Sequence, residues 1–494
     1  MEEHRSVIVL FAVVAYMVMC IGVGLWAIRR TKNTQDFFMA GRHLGVIVAS
    51  VAVFSSTMSG WGFVGGPSLT YQMGVSSFWL FIGPFIGTTI MFYLLGTRIR
   101  ALAEVRTLIS LPDAVMARYE SRSTSLLTAL AILLGVMGYL GTQILAMSTV
   151  LQRILADVSW IGEIRLEICA AISCAVLVFY CVTGGIIASV YTDLVQGIIM
   201  VFAAFLVFAA ALATVDGGLT GMSQIIIADD PEAMSPWGTL GMAGCLSFYF
   251  MIAIGMCGQP HVITKLMMTR RVGDARHMMP ISVFGYAFAA FLWIGIGLSM
   301  RALVLDGSHP ELANADHAAP QFLQHYAHPI LSGVVFAALM AAIMSTADSF
   351  LNVGVAAVVH DIPRALRNRS LSNELFWARI ATVIITIAAA VFALFSGELV
   401  ALLGAFGWST FAVAIVPTVA IGFNWKRATP LACNAAIIVG LAVLFGLRIK
   451  NVQLPYGFHE GALSLLISIT VFYLISVATP RRPIAADVEA VMDM

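Results

Sequence analysis

The chain has 494 residues, of which 60% are hydrophobic and only 11% charged, with a formal net charge of +1. Its mean hydropathy of +0.93 excludes a water-soluble globular protein, because most side chains have to face lipid or one another. The near-neutral balance, with no basic stripe carrying interleaved aromatics, gives no support to a nucleic-acid partner.

Apolar runs of about 20 residues, the length that crosses the hydrocarbon core as a helix, recur thirteen times. They fall at 6–28, 43–70, 75–97, 124–152, 164–182, 186–214, 238–264, 275–303, 328–360, 374–396, 397–422, 428–447 and 460–479. The first is too long for a signal peptide and is preceded by Glu2 and Glu3, so it reads as an uncleaved span. Seven cysteines (Cys20, Cys169, Cys174, Cys181, Cys245, Cys257 and Cys433) lie in apolar runs, are odd in number and form no CxxC. They read as packing residues.

Thirteen spans put the termini on opposite sides, and the basic residues say which is which. Twenty of the 27 Lys and Arg residues lie on the side of the C-terminal tail, in loops containing Arg29, Arg30, Lys32 and Arg42, then Arg98 to Arg122, Lys265 to Arg276, Arg364 to Arg369, Lys426 and Arg427, and finally Arg481 and Arg482. The positive-inside rule therefore places the N-terminus outside and residues 480–494 as a cytoplasmic tail of a multi-pass plasma-membrane protein, of the bacterial inner-membrane type.

Two spans are punctuated by helix breakers. The second is interrupted from Ser59-Gly60 to Gly65-Gly66-Pro67, and the seventh at Gly255-Met256-Cys257-Gly258-Gln259-Pro260. The breaks lie five spans apart, so spans two to six (43–214) and seven to eleven (238–422) read as five-helix repeats of opposite orientation. Span one precedes them and two spans (428–479) follow, within one transmembrane domain covering 1–494. Inverted repeats with a discontinuous first helix are a transporter architecture, although membrane helices also tolerate single Gly or Pro kinks.

The stretches Ser55 to Pro67 and Ala341 to Ser349 put hydroxyls, glycines and a carboxylate into otherwise apolar spans. Lipid offers such groups no partner, so they read as the lining of a cavity or a cation site. Sodium, a hard cation, takes oxygen ligands of this kind. An isolated Ser345-Thr346 pair would instead bond back to a carbonyl one turn earlier. No Arg or Lys occurs at the breaks, so a substrate carboxylate would have to meet helix N-termini, hydroxyls or the cation itself. A small zwitterion or monocarboxylate suits that lining better than a large sugar.

The strings Met58-Ser59-Gly60-Trp61, Thr183-Gly184-Gly185-Ile186-Ile187-Ala188-Ser189-Val190-Tyr191-Thr192-Asp193-Leu194-Val195-Gln196, Gly258-Gln259-Pro260-His261 and Met344-Ser345-Thr346-Ala347-Asp348-Ser349 resemble the sodium:solute symporter family over nearly the whole length. In motifs the chain is nearest to the sodium/proline branch. The resemblance implies an all-α, leucine-transporter-like fold with one extra helix in front and two behind. It implies a co-transported Na+ held by the backbone carbonyls of Ser55, Met58 and Ala342 and the hydroxyls of Ser345 and Thr346. Some members bind a further sodium at the position of Asp193; Ser345, Asp348 and Ser349, which share one helix face, complete that candidate second site. The alternative for Asp193 is a carboxylic acid bonded to a neighbouring helix, and for Asp348 a residue near a cytoplasmic vestibule. The family's solute position implies Ser56, Thr57, Gly60, Trp61 and Gly65, with Tyr139 and Gln143 and with Met256, Gln259 and Pro260. Where proline carriers have an aspartate and two aromatics this chain has Thr57, Ile252 and Met256, so proline itself does not carry over.

The function expected is sodium-coupled import of a small organic solute, an amino acid or monocarboxylate-like compound, by alternating access. Proton coupling through Asp193 and Asp348 is the near alternative and an ion channel the alternative of a different class. HExxH, GxSxG and P-loop strings are absent, so an enzyme or an ATP-driven pump lacks support. Beyond lipid, sodium and solute no partner is implied, and a monomer satisfies the sequence.

Overall fold

The computed structural model describes residues 2–29, 33–156, 162, 164–369, 371–397 and 400–494. Arg30, Lys32 and the first part of the span expected at 397–422 lie partly outside these. Among the described residues the fold is all helix, with one isolated parallel bridge between Leu44 and Thr269. Twelve helical stretches are long and apolar enough to cross a membrane.

The chain enters through α1 (Glu2–Ile28) and the short α2 (Thr34–Met39), whose N-cap Asn33 accepts the Asp36 N–H at 2.8 Å. α3 (Val46–Thr57) stops at Met58 (φ −83°, ψ 79°), and a wide turn over Trp61–Gly65 leads into α4 (Gly66–Met73). At Gly74 (φ +60°, ψ −139°) the chain turns towards α5 (Phe78–Met91), which continues through Phe92–Gly96 into α6 (Thr97–Arg106). Only glycine suits that turn, since a Cβ would lie 2.0 Å from the Ala233 carbonyl oxygen.

Then come α7 (Leu111–Tyr119), the 35-residue α8 (Arg122–Ala156) and α9 (Leu166–Thr214). α9 is two expected spans joined at Gly185, where φ is +53° and a Cβ would press the Phe37 ring at 2.7 Å. After α10 (Gly218–Asp229), the second broken element runs through α11 (Gly241–Gly255), a single turn at Met256–Gly258 and α12 (Pro260–Met267). Pro260 opens α12 at the position where its missing N–H costs nothing.

The remaining elements are α13 (Asp274–Leu305), α14 (Ala318–His325), α15 (Pro329–Ala356), α16 (Ile362–Arg367), α17 (Glu374–Ser396), α18 (Val400–Ile415), α19 (Pro430–Ile449), α20 (Glu460–Ala478) and α21 (Ala486–Met492). The packing has a reciprocal pattern. α8 lies along α18 while α15 lies along α9, and α4 packs on α13 while α11 packs on α5. Small residues permit the close approaches: a Cβ on Gly407 would be 2.7 Å from the Tyr139 backbone nitrogen.

Two expectations are corrected. Lys265, assigned to a cytoplasmic loop, is inside α12 and fully buried, because the helix after the break runs to Met267 rather than ending at residue 264. The statement that no Lys or Arg occurs near the breaks fails with it. The C-terminal segment packs on the rest of the chain: α21 buries Val488, Val491 and Met492, Asp487 pairs with Arg106 at 2.6 Å, and Asp493 just after it pairs with Lys426 at 2.7 Å.

Candidate functional site

The break after α3 faces the middle of α15, which is buried from Ala338 to Leu351. A helix buried on all sides can carry hydroxyls only if they find partners inside the protein. Thr346 Oγ1 lies 3.1 Å from the Ser56 carbonyl oxygen on α3 and 3.1 Å from the Ala342 carbonyl oxygen one turn back on α15. The structure thus brings Thr346 and Ala342 to the end of α3, where Ser55 and Met58 lie, and the α3 carbonyl that Thr346 reaches is that of Ser56. Met58 has left helical geometry, which turns its carbonyl away from the helix axis. Ser345 faces elsewhere and donates to the Asp193 carboxylate.

Asp193 does not sit alone. Its Oδ2 accepts from Lys265 Nζ at 2.9 Å, and both side chains are fully buried. Lys265 Nζ also donates to the Ala52 carbonyl oxygen at 3.1 Å and to Ser56 Oγ. Asp348 has different company, accepting from Ser189 Oγ at 2.6 Å and from Ser349 Oγ at 3.3 Å. Of the four residues expected at a second cation site, the two carboxylates thus have different partners, Asp193 the Ser345 hydroxyl and Asp348 the Ser189 hydroxyl, while Ser349 Oγ also donates to the Ser345 carbonyl at 2.9 Å. Lys265 is the functional residue that sequence reasoning missed. The signal was there: one lysine interrupts the apolar run Val262 to Met268, and a buried carboxylate such as Asp193 needs a named partner.

Of the expected solute residues, Thr57, Trp61 and Tyr139 line one enclosed cavity, together with Pro84, Ile252, Tyr286, Gly404 and Trp408. Its free space is that of about one water molecule. The Trp408 Nε1–H and the Tyr286 hydroxyl are buried with no hydrogen-bond partner among the described residues. Gly60 and Gln143 serve the break itself, with the Gly60 N–H donating to Gln143 Oε1 at 2.8 Å. Gly65 abuts Ala401, Met256 abuts Gly87, and Ser56 is occupied by Lys265. Gln259 binds the Gly255 carbonyl at 2.9 Å, and Pro260 starts α12. Tyr286 and Trp408 escaped notice because an aromatic in an apolar span carries no local mark of its role.

Beyond Ser349, on the side of α7 and α16, a second cavity is lined by His261, Thr264, Asn352, Ser110 and Asp361 among others. Its rim is a charged cluster. Asp113 binds Arg364 at 2.8 Å and His360 at 3.1 Å, His360 reaches Glu374 at 3.2 Å, and Ser110 donates to Asp361 at 2.5 Å. Burial pushes the Asp113 carboxyl up, but the His360 hydrogen bond and the charges of His360 and Arg364 outweigh it and hold the group below its ordinary value.

Comparison with known proteins gives the family and the fold. The chain is 26% identical to the osmoregulated proline transporter OpuE of Bacillus subtilis over 96% of both chains. It is 28% identical to the sodium/proline symporter of Escherichia coli, covering 99% of this chain and 97% of that one. Against the sodium/pantothenate symporter of Escherichia coli the identity is 26%, over 94% and 95%. Among solved structures, the substrate-bound outward-open state of a Na+-coupled sialic acid symporter superposes with a TM-score of 0.76 at 20% identity, covering 97% of this chain and 99% of that one. The nucleobase-cation-symport-1 transporter Mhp1 gives 0.58 at 15% identity, over 92% and 98%. These structures share the leucine-transporter-like fold. With the model of the family matching residues 37–440, the chain belongs to the sodium:solute symporter family.

Proposed function

We propose that this symporter imports a small carboxylate-bearing solute together with sodium, the ion bound where the α3 break meets α15 and the solute bound among Trp61, Tyr139, Tyr286 and Trp408 once the small cavity there widens to admit it. The observation that carries the reading is Thr346, whose hydroxyl joins a carbonyl of the broken helix to a carbonyl of α15. Sodium entering that junction would take the hydroxyls of Thr346 and Ser345 and the carbonyls of Ser55, Met58 and Ala342 as oxygen ligands. Ser345 would have to turn from Asp193 to do so.

Proline, pantothenate and sialic acid, the solutes named for the relatives and the structural neighbour, all carry a carboxylate. The unpartnered Trp408 N–H and Tyr286 O–H supply donors for one, and the aromatic walls suit a compact apolar body. Ile252 in that wall supports a solute other than proline.

The topology belongs to the same reading. The stretch Trp61–Arg106 has 46 residues, about 69 Å as one helix at 1.5 Å per residue, and it is interrupted at Gly74. Divided there, with Val46–Thr57 as the front half of the second span, it brings the spans to thirteen. The reciprocal packing of α8 on α18 and of α15 on α9 supports inverted repeats over 43–214 and 238–422. The positive-inside bias supports an external N-terminus and a cytoplasmic C-terminus. Sodium then moves inward down the potential, gaining about 2.3 kcal/mol per 100 mV. Coupling arises because ion and solute stabilise the same closed arrangement of α3 against α15.

The test is a thermal-shift screen of the purified protein against amino acids, monocarboxylates, vitamins and sugars, each with sodium or with choline. A carboxylate stabilising only in sodium is expected. Stabilisation that ignores sodium but follows pH would assign the coupling to protons instead.

A further inference from the structure

We propose that Lys265 is a tethered cation standing where a second transported cation would otherwise bind, so that the symporter carries one sodium per cycle. The inference rests on the sodium reading above and concerns what happens beside that ion. Asp193 is buried beyond the reach of solvent, and a carboxylate in that setting requires a positive partner. The chain supplies it: Oδ2 receives Lys265 Nζ at 2.9 Å and Oδ1 receives the Ser345 hydroxyl.

The surroundings of the ammonium have the chemistry of a cation site. Its three protons have three oxygen acceptors, the Asp193 carboxylate, the Ala52 carbonyl at 3.1 Å and the Ser56 hydroxyl. A carboxylate, a carbonyl and a hydroxyl are also the ligand types a hard cation selects. Asp348, the other carboxylate of the expected second site, accepts from Ser189, and the Ser349 hydroxyl donates to the Ser345 carbonyl at 2.9 Å, so neither is among the oxygens that meet the ammonium. The position beside Asp193 is therefore filled by part of the protein.

Ser56 links this position to the sodium junction. Its hydroxyl meets Lys265 while its carbonyl meets Thr346, so the fixed charge and the transported charge share one residue. Lys265 sits on α12, behind the second break. The ammonium travels no further than its side chain, so each cycle carries the charge of the junction sodium alone.

Equilibrium binding of radiolabelled sodium to the purified full-length protein, without solute, tests the assignment. Wild type is expected to saturate at one ion per chain and Lys265→Ala at two, with Lys265→Ala/Asp193→Asn returning to one. Lys265→Arg keeps the charge and is expected to stay at one. Two ions on the wild type overturn the proposal whether or not any variant folds. One ion on a folded Lys265→Ala, judged by size exclusion, overturns it as well. A wild type that binds none overturns the sodium reading itself, which separates the two failures.

Discussion

Thr346 meets two carbonyls with one oxygen, and its replacement separates a structural hydroxyl from an ion ligand. Alanine removes the donor from the Ser56 and Ala342 carbonyls and one oxygen from the sodium junction; serine keeps both. Losing one buried ligand of hydrogen-bond strength, about 1.4 kcal/mol, corresponds to a tenfold change in affinity. Thr346→Ala is expected to raise the sodium concentration for half-maximal uptake at least about tenfold, with Thr346→Ser near wild type. Equal sodium dependence in all three would remove sodium from this junction. The pair beside it answers to stability. Breaking a buried ion pair by removing one member costs about 3–5 kcal/mol, because the other charge stays buried alone. Asp193→Asn should therefore lower the melting temperature sharply, and Asp193→Asn/Lys265→Met should recover most of the loss. A double variant no better than the single would show that the pair is not the source of the penalty.

At the scale of helices, the broken spans were readable because glycine and proline punctuate them in the sequence, although the residues that leave helical geometry are their neighbours Met58 and Gln259, while Gly60, Gly65 and Gly66 stay helical. Most span limits came within a few residues because lipid thickness fixes helix length, the exceptions being the spans expected to end at 97 and 360, whose helical stretches run on to Arg106 and Arg367. Lys265 was lost by that very rule, since a lysine at the end of an apolar run looks like the end of the membrane. The burial of α12 behind the break depends on α3, α6 and α15, which no local pattern announces. The solute cavity was half legible, Trp61 and Tyr139 through motif and Trp408 and Tyr286 not at all, because it is assembled from several helices. The break itself makes a prediction. A Cβ on Gly60 would lie 2.5 Å from Ala146 Cβ on α8, beside the Gln143 oxygen that holds the Gly60 N–H. Overpacking of this kind costs about 1–3 kcal/mol. Gly60→Ala should depress both maximal uptake and melting temperature, and Gly60→Ala/Ala146→Gly should restore much of each. Failure of the second change to help would mean that Gly60 matters for backbone freedom or solute contact rather than for packing on α8.

For the molecule as a whole, the proposed mechanism requires something that keeps the cytoplasmic side shut while ion and solute are held. The cavity beyond Ser349 ends at the cluster in which Asp113 of α7 grips Arg364 of α16 and His360. That cluster fastens the segment between α6 and α8 to the chain that follows α15, at the end of a cavity which, on the proposed topology, would be the way out for sodium. Its charge state has a definite sign. Asp113 is held below its ordinary value, so the folded protein gives up the carboxylate only at lower pH than the unfolded chain does. The stability it contributes is complete above the ordinary aspartate value, about 3.9, and is lost only as pH falls below it. As far as Asp113 is concerned, the latch is therefore intact from mildly acidic to basic conditions, and substitution of Asp113 is the direct way to open it. Asp113→Asn weakens the hold on Arg364 and shifts the population towards inward-open forms. Asn352 lines the cavity behind the cluster and reports on that shift. In inside-out vesicles a thiol at Asn352→Cys should react with a maleimide several-fold faster when Asp113→Asn is also present. The native cysteines are buried apart from the partly exposed Cys174, and the parent without the new thiol sets the background. Sodium should slow the labelling in both, because the ion favours the closed arrangement of α3 on α15. Labelling rates unaffected by Asp113→Asn would mean that the cluster braces the loop without gating the path.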